Sequence, residues 1–256
     1  AALTMNTRVI SIEDWDAIDG FSPAVRDEKT YQARLRAAIA GHTDKSVPFI
    51  TWGYHHYFHG PMNRAMLDQL APDFPVIVWH RSAHEFFLNS AALRLMKIDD
   101  ALVRTFAKSA QEQLNLEKGH FFEQGGMAIL PNITPHLASP EQFRKGLEFT
   151  EAYYHRNGIT LACEPGGFPS RPIQDAINAV YSDDRTPFNH CFMADGKSLA
   201  AANQGDASKL VAETRKVENW GEGRTWYLPD QVKLFTDGAI YSQLMQMKDG
   251  YTDGHH

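Results

Sequence analysis

The second half of the chain alternates short apolar runs with amphipathic segments, and this pattern restricts the folds open to it. Between Phe143 and Tyr154 apolar residues recur at helical spacing, and Gly158 ends the segment. Three predicted strands follow, at residues 159–163, 187–194 and 231–235. A predicted helix over about residues 207–220 lies between the second and the third strand. Because parallel strands need crossover connections, the alternation predicts an α/β fold with a parallel sheet.

Polar residues lie where these strands end. Glu164, Asp195 and Asp237 each come just after a predicted strand, and Lys233 lies within one. In folds built from parallel strands and helices, the chemistry is carried at the carboxyl ends of the strands. The four side chains are therefore candidate site residues.

Lys233 admits two interpretations from the pattern alone. On an edge strand its charge would reach water, which is an ordinary arrangement. In a central strand a charged lysine is costly unless it is paired, so burial favours the neutral amine. A neutral amine can react with carbon dioxide to give a carbamate, which can bridge two metal ions. That second interpretation requires histidines from neighbouring strands.

Histidines cluster in two stretches of the first half. His80 and His84 follow the apolar run 75–79, and on a helix their spacing would place both on one face as zinc ligands. A polar loop with locally hydrogen-bonded histidines is the alternative. The stretch GYHHYFHG contains His55, His56 and His59. It could bind metal, face a substrate, or pack as an aromatic loop.

The first half also mixes predicted helices and strands. A helix with Tyr31 on its apolar face precedes strands at 47–56 and 75–79, and a further helix starts at an Asn89 or Ser90 cap. The stretch 119–140 is rich in glycine and proline and predicts a loop at a domain boundary. We accordingly divide the chain into residues 1–125 and 126–256.

Composition excludes several classes of partner and compartment. The 256 residues carry a net charge of −6 without a cluster of Lys and Arg, which argues against nucleic acid. No apolar run reaches the roughly 18 residues of a membrane helix, and no signal pattern opens the sequence. Cys163 and Cys191 form no disulfide framework and lie inside predicted strands. We expect a cytoplasmic protein without a cysteine nucleophile.

Several stretches in order resemble amidohydrolase family 3, which includes N-substituted formamide deformylase-like hydrolases and proteins labelled exoenzyme regulatory protein. LDQLAPDFPVIVWHRSAHEFFLNSAALRLMKI is similar to the family's Leu-Asp, Pro-Val, His and Asn-Ser-x-Ala-Leu pattern. EKGHFFEQGG is similar to a segment with a glutamate, here Glu123. NGITLACEPG, VKLFTDGAIYSQ and GYTDGHH resemble three further motifs, although the family often has His-Asp where this chain has Cys163-Glu164.

The resemblance implies an α/β fold of a particular kind. Residues 126–256 would supply strands two to four of a distorted (β/α)8 TIM-type barrel, which is incomplete here. Residues 1–125 would belong to an inserted α/β cap over the substrate. The family's His-x-His at the first strand is absent, as are its later histidine strands and aspartate.

The resemblance also implies a site and an activity. Lys233 would be the carboxylated lysine that bridges two ions of zinc or another divalent metal. His84, Asn89 and Glu164 would lie near the substrate, and Asp237 would support the metal ligands or form a turn. The parent protein would hydrolyse a C–N bond of an amide, formamide or cyclic amide, and it could form a homo-oligomer. Metal would lower the pKa of bound water to about 7.

Most of the family's metal ligands are missing from this sequence, so we expect the 256-residue chain to bind metal poorly and to be inactive by itself. Its catalytic residues are not identified by the motifs. The alternative from another class is a non-catalytic binding or regulatory module that kept the fold and lost the metals.

Overall fold

The computed structural model describes residues 2–44, 46–167, 170–240 and 243–252, which fall into two compact units. The six-stranded unit comprises Leu3–Gln142 and the described residues from Asp237 onward. The three-stranded unit comprises Phe143–Thr236. The division therefore follows Gln142, whereas the sequence placed it at residue 125. Residues 253–256 of the GYTDGHH motif and residues 241–242 of VKLFTDGAIYSQ lie outside the described residues.

Strands and short helices alternate through both units. In chain order the strands are β1 (Arg8–Val9), β2 (Trp15–Ala17), β3 (Gly20–Ser22), β4 (Phe49–Tyr54), β5 (Val76–His80), β6 (Glu85–Leu88), β7 (Leu114–Asn115), β8 (His120–Phe122), β9 (Leu161–Gly167), β10 (Asn189–Asp195) and β11 (Thr225–Lys233). The helices are α1 (Ala2–Met5), α2 (Glu28–Gly41), α3 (His56–His59), α4 (Arg64–Leu70), α5 (Ser90–Leu95), α6 (Asp100–Val103), α7 (Lys108–Gln111), α8 (Glu123–Leu137), α9 (Pro140–Arg156), α10 (Arg171–Tyr181), α11 (Gly196–Ala202) and α12 (Ala207–Glu218). The α/β class is confirmed.

The larger sheet has the order β1-β4-β5-β6-β8-β7. Its first three strands are parallel, and the pairs β5/β6, β6/β8 and β7/β8 are antiparallel. Strand β5 is buried throughout, and successive side chains of a strand point to opposite faces. Val76 and Val78 accordingly pack in a core with α2, while Ile77 and Trp79 pack in a second core with α8. Because both faces are covered, the continuous apolar run predicted a buried strand correctly.

Helix α8 contradicts the predicted loop at 119–140. The helix contains Pro131 and Pro135, residues that usually end a helix. Ile129, Ile133 and Leu137 are nevertheless buried at intervals of four residues in the core that contains Trp79. The stability gained from this burial outweighs the destabilisation that the prolines cause in the helix, so packing decides against the helix-breaking signal in the sequence.

The smaller sheet is parallel throughout and has the order β11-β10-β9. Each strand is joined to the next through helices, α10 in the first connection and α11 with α12 in the second. Strand β11 lies at an edge, and Leu234, just beyond its end, is 64% exposed. Lys233 is half-buried at this edge of the described sheet, and its role as a metal ligand stays a prediction. Closure into a barrel stays a prediction.

None of the described helices is long and apolar enough to cross a membrane.

His190, in the middle of β10, generates a prediction on acid stability. Its ring lies among aromatic rings, with centroid distances of 4.5 Å to Phe192 and 5.4 Å to Tyr181. Its Nδ1 is buried without a hydrogen bond to any described residue. Burial lowers the pKa of His190 from 6.5 to about 4.

The neutral ring is therefore favoured in the folded state, and its contribution to stability is lost as the pH falls from about 6.5 towards 4. We expect His190→Phe to remove that loss and to gain on the order of 2 kcal/mol relative to wild type at pH 4.5. Urea unfolding at pH 7 and pH 4.5 measures it, with the exposed His155→Phe as the control. If the free energy of unfolding fell by the same amount between pH 7 and pH 4.5 in His190→Phe and in wild type, His190 would not be the cause of the loss.

Candidate functional site

Asn89 is fully buried and joins three segments of the six-stranded unit. Its Oδ1 accepts hydrogen bonds from the backbone N–H of Ala92 at 2.8 Å and of Val76 at 3.0 Å, so Asn89 is the cap of α5. Its Nδ2 donates to the carbonyls of Ala71 at 2.8 Å and Phe74 at 2.7 Å. The side-chain amide is thus engaged by the protein itself. A substrate contact by Asn89 would require one of these bonds to break.

The neighbouring motif residues make a second connection. Asp68 accepts from the Ser90 backbone N–H at 2.7 Å and from the Ser90 hydroxyl at 2.6 Å. Arg64 Nε donates to the same hydroxyl at 2.7 Å. The Leu-Asp and Asn-Ser motifs therefore contact each other and hold α4 against the start of α5.

His80 ends β5 and His84 lies in the turn before β6, so the two histidines do not share a helix face and the loop alternative holds for His84. Its Nδ1 is 3.1 Å from Glu123 Oε1, and its side chain is 38% exposed. The backbone N–H of Glu123 donates to the His84 carbonyl at 3.0 Å. Glu123 Oε1 also accepts from the Ala239 N–H at 3.1 Å. The result is a partly exposed imidazole backed by a carboxylate, a pair that can bind a polar ligand.

Asp237 organises the turn that carries Ala239. Its Oδ1 accepts from the Gly238 N–H and its Oδ2 from the Gln246 N–H, both at 2.8 Å. These bonds make Asp237 a turn former. Support of metal ligands by Asp237 stays a prediction.

Three histidines meet at the carboxyl ends of β4 and β5. One ring nitrogen from each of His55, His56 and His80 lies within 4.8 Å of the others. His56 Nδ1 and His80 Nε2 are 3.4 Å apart, and their rings are stacked at 23°. Among the described residues this is the group of three or more His, Cys, Asp or Glu side chains whose donor atoms could share one metal ion.

A buried carboxylate lies behind this cluster. Glu85, on β6, and His80 are both fully buried, with 3.9 Å between Glu85 Oε1 and His80 Nδ1. The other oxygen of Glu85 is 2.9 Å from His120 Nε2. Sequence reasoning missed Glu85 and His120. The sequence did contain a signal for Glu85. Because alternate side chains of a strand share a face, Glu85 lies on the same face as the buried Phe87.

His59, the third histidine of GYHHYFHG, packs instead of facing a ligand. Its Nε2 is 2.9 Å from the Val25 carbonyl oxygen, and its Nδ1 accepts from the His55 N–H at 3.0 Å. Its ring stacks on Tyr31 at a centroid distance of 4.1 Å. Burial lowers the pKa of His59 to about 4, so the ring is neutral at pH 7 and fixes the loop.

Lys233 ends β11 in the three-stranded unit, with Asp195 as its backbone partner on β10. Its Nζ lies 5.0 Å from the centroid of the Phe235 ring. A β-carbon on Gly166 would lie 3.1 Å from Lys233 Cγ, so this glycine makes room for the lysine stem. Glu164 is exposed and lies inside β9, which continues to Gly167.

The donors present around Lys233 do not make a metal site. The Asp195 carboxylate caps α11 by accepting from the N–H groups of Lys197 and Ser198 at 3.1 and 3.3 Å, and from the Ser198 hydroxyl. In the described part of this unit no group of three His, Cys, Asp or Glu donors gathers at Lys233. Lys233 by itself could supply one ligand.

Cys163 and Cys191 are backbone partners on β9 and β10. Cys163 is exposed and Cys191 is buried; partial desolvation and the neighbouring Cys191 thiol raise the pKa of Cys163 to about 11. The Cys163 thiol is therefore protonated at neutral pH and is a poor nucleophile.

No protein-family model and no curated protein matches the sequence. Two solved structures share its fold. An uncharacterized metal-dependent hydrolase from Pyrococcus horikoshii OT3 has a TM-score of 0.55 and 13% identity, over 94% of this chain and 41% of its own. An uncharacterized metal-dependent hydrolase from Pyrococcus furiosus has a TM-score of 0.52 and 14% identity, over 94% and 42%. The chain thus spans about two fifths of each, and the likeness shows the fold alone.

The four hydrogen bonds of Asn89 generate a prediction on stability. In Asn89→Ala two buried N–H groups and two carbonyls lose their partner, and we expect unfolding of the six-stranded unit to become easier by about 2–4 kcal/mol. Asn115→Ala is the control, because Asn115 is exposed and accepts a single bond, from Lys118 N–H at 2.8 Å. Denaturant unfolding measures both. A loss within about 0.5 kcal/mol of the control would refute the structural role.

Proposed function

We propose that the chain is part of a metal-dependent hydrolase that cleaves a C–N bond in a small amide, formamide or cyclic amide. The observation that carries the proposal is the position of Lys233 at the carboxyl end of a parallel strand. Two further observations support it: the fold is shared with two metal-dependent hydrolases, and the motifs resemble amidohydrolase family 3. The incomplete barrel and the inserted cap belong to the same proposal.

In this proposal Lys233 contributes one metal ligand as its carbamate. The remaining ligands of two zinc or similar ions come from residues outside this chain, since the described neighbours of Lys233 do not complete the set. No catalytic step is assigned to the 256 residues. A divalent ion, when bound, would activate water and polarise the carbonyl.

For the substrate, the proposal takes the two units separately. His84, in the six-stranded unit, reaches solvent and is backed by Glu123, and Glu164, in the three-stranded unit, is exposed. Asn89 supports the proposed site indirectly, because its side chain holds the backbone at the starts of β5 and α5. A small-molecule partner, no nucleic acid, a cytoplasmic location and self-association complete the proposal.

One observation favours the alternative of a non-catalytic binding or regulatory module. The described part of the three-stranded unit gathers no donor group at Lys233. A protein that kept the fold and lost its metals would have this feature.

The deciding experiment uses the full-length product of the reading frame that contains this chain. We expect bound divalent metal and hydrolysis of a panel of formamides and amides, both reduced in Lys233→Ala, the activity by more than about 100-fold. Lys209→Ala is the matched control, because Lys209 is an exposed lysine paired with Asp206 at 3.6 Å in the same unit.

Metal content and activity unchanged in Lys233→Ala would refute the role of the lysine. Absence of hydrolysis, together with the same metal content in wild type and Lys233→Ala, would leave the binding module.

A further inference from the structure

The backbone at the end of β4 determines which side chains face His80. Pairing between β4 and β5 shifts after Trp52, so that Gly53 is skipped and Tyr54 pairs with His80. Gly53 has φ +111, and a β-carbon there would lie 2.7 Å from the carbonyl oxygen of Ile10. Glycine is the residue that permits this conformation and approach. The chain then turns into α3 with His55 and His56 beside His80.

The separations between the ring nitrogens fit a shared cation. Zinc binds histidine nitrogen at about 2.0–2.1 Å in tetrahedral geometry, which places two ligand nitrogens about 3.3–3.4 Å apart. His56 Nδ1 and His80 Nε2 are 3.4 Å apart. The same separation also allows one ring to donate a hydrogen bond to the other when no ion is bound. The third nitrogen, from His55, is within 4.8 Å of the other two, so the His55 side chain would have to rotate closer to share a tetrahedral ion with them.

The surroundings of His80 are those of a metal ligand. A ligating histidine usually bonds through its other ring nitrogen to an oxygen that orients it. His80 Nδ1 is 2.8 Å from Ser82 Oγ and 3.9 Å from Glu85 Oε1. The buried negative charge of Glu85 would also offset part of the charge of a divalent cation in a site of low polarity.

We propose that His55, His56 and His80 bind one divalent transition-metal ion of the zinc class, with Ser82 orienting His80 and the carboxyl group of Glu85 lying beside it. The site lies in the six-stranded unit and uses none of the residues assigned to the hydrolase site, so it stands independently of the proposed function. Three nitrogens leave one position of a tetrahedral ion open. That arrangement is typical of zinc sites that bind water or a small ligand, whereas structural sites are closed by four protein ligands.

Ion binding changes local hydrogen bonds at His80 and at His55. His80 Nδ1 accepts from the Ser82 N–H at 3.1 Å, and ligation through Nε2 would place the ring proton on Nδ1, so that this bond is lost and Nδ1 donates to Ser82 Oγ instead. His55 Nδ1 accepts from the Tyr57 N–H at 3.2 Å. If His55 binds the ion through Nε2, its ring proton lies on Nδ1, and Nδ1 can then no longer accept this bond. The first turn of α3 should therefore change when the ion binds.

The test is a titration of the metal-stripped 256-residue chain with Zn²⁺, followed by calorimetry, and with Co²⁺, followed by visible absorption. We expect each chain to bind about one metal ion tightly, and the bound Co²⁺ to show the visible absorption of tetrahedral cobalt. His56→Ala should weaken binding at least about 100-fold, and Ser82→Ala about 10–100-fold. Because His80 is fully buried and its variants can misfold, His55→Ala is the second ligand variant, with circular dichroism as the check on folding.

Three control variants separate this site from others. His155→Ala removes an exposed histidine from α9, and a double His255→Ala, His256→Ala variant removes the pair at the end of the sequence. Lys233→Ala removes the proposed hydrolase ligand. All three should keep the tight equivalent.

Binding unchanged in both His55→Ala and His56→Ala would overturn the proposal, as would loss of the tight equivalent with His255 and His256. Failure of the chain to bind zinc at all would overturn it too, without bearing on Lys233 in a longer protein.

Discussion

The buried amide of Asn89 is the interaction on which the six-stranded unit depends. Its four bonds tie the start of β5, the start of α5 and the segment between α4 and β5 to a single side chain. Buried backbone groups need partners, and these four lie where the chain changes direction between regular elements. With β5 fixed at its start, the position of His80 at its other end is fixed as well. The bonds of Asn89 at the start of β5 therefore help to position the histidine cluster at the end of the same strand.

Local patterns predicted the elements whose packing agrees with them. The apolar run before His80 is a buried strand, and the helical repeat between Phe143 and Tyr154 lies in α9. Helix α8 was missed because Pro131 and Pro135 signal a break, whereas burial of Ile129 and Ile133 against the sheet decides the outcome. Such burial depends on residues distant in sequence, which a local pattern does not contain.

The candidate sites show the same division. His84 was recognised from its motif, but its partner Glu123 and the Ala239 N–H reach it only through the fold. The histidines of GYHHYFHG allowed three interpretations, and the structure separates them: His59 packs, while His55 and His56 join His80. That separation follows from the skipped residue Gly53, a feature of strand pairing. A sequence pattern of period two gives no sign of where pairing will shift.

The order β9-β10-β11 has a geometric consequence for the three-stranded unit. The strands are added side by side in the order in which they occur, so the winding never reverses within the described sheet. A doubly wound sheet binds its ligand in the crevice where the winding reverses, whereas a singly wound one presents the carboxyl ends of all its strands on one continuous rim. Glu164, Asp195 and Lys233 are at or near the carboxyl ends of three successive strands. Further strands could extend that rim at either edge without altering the order of these three.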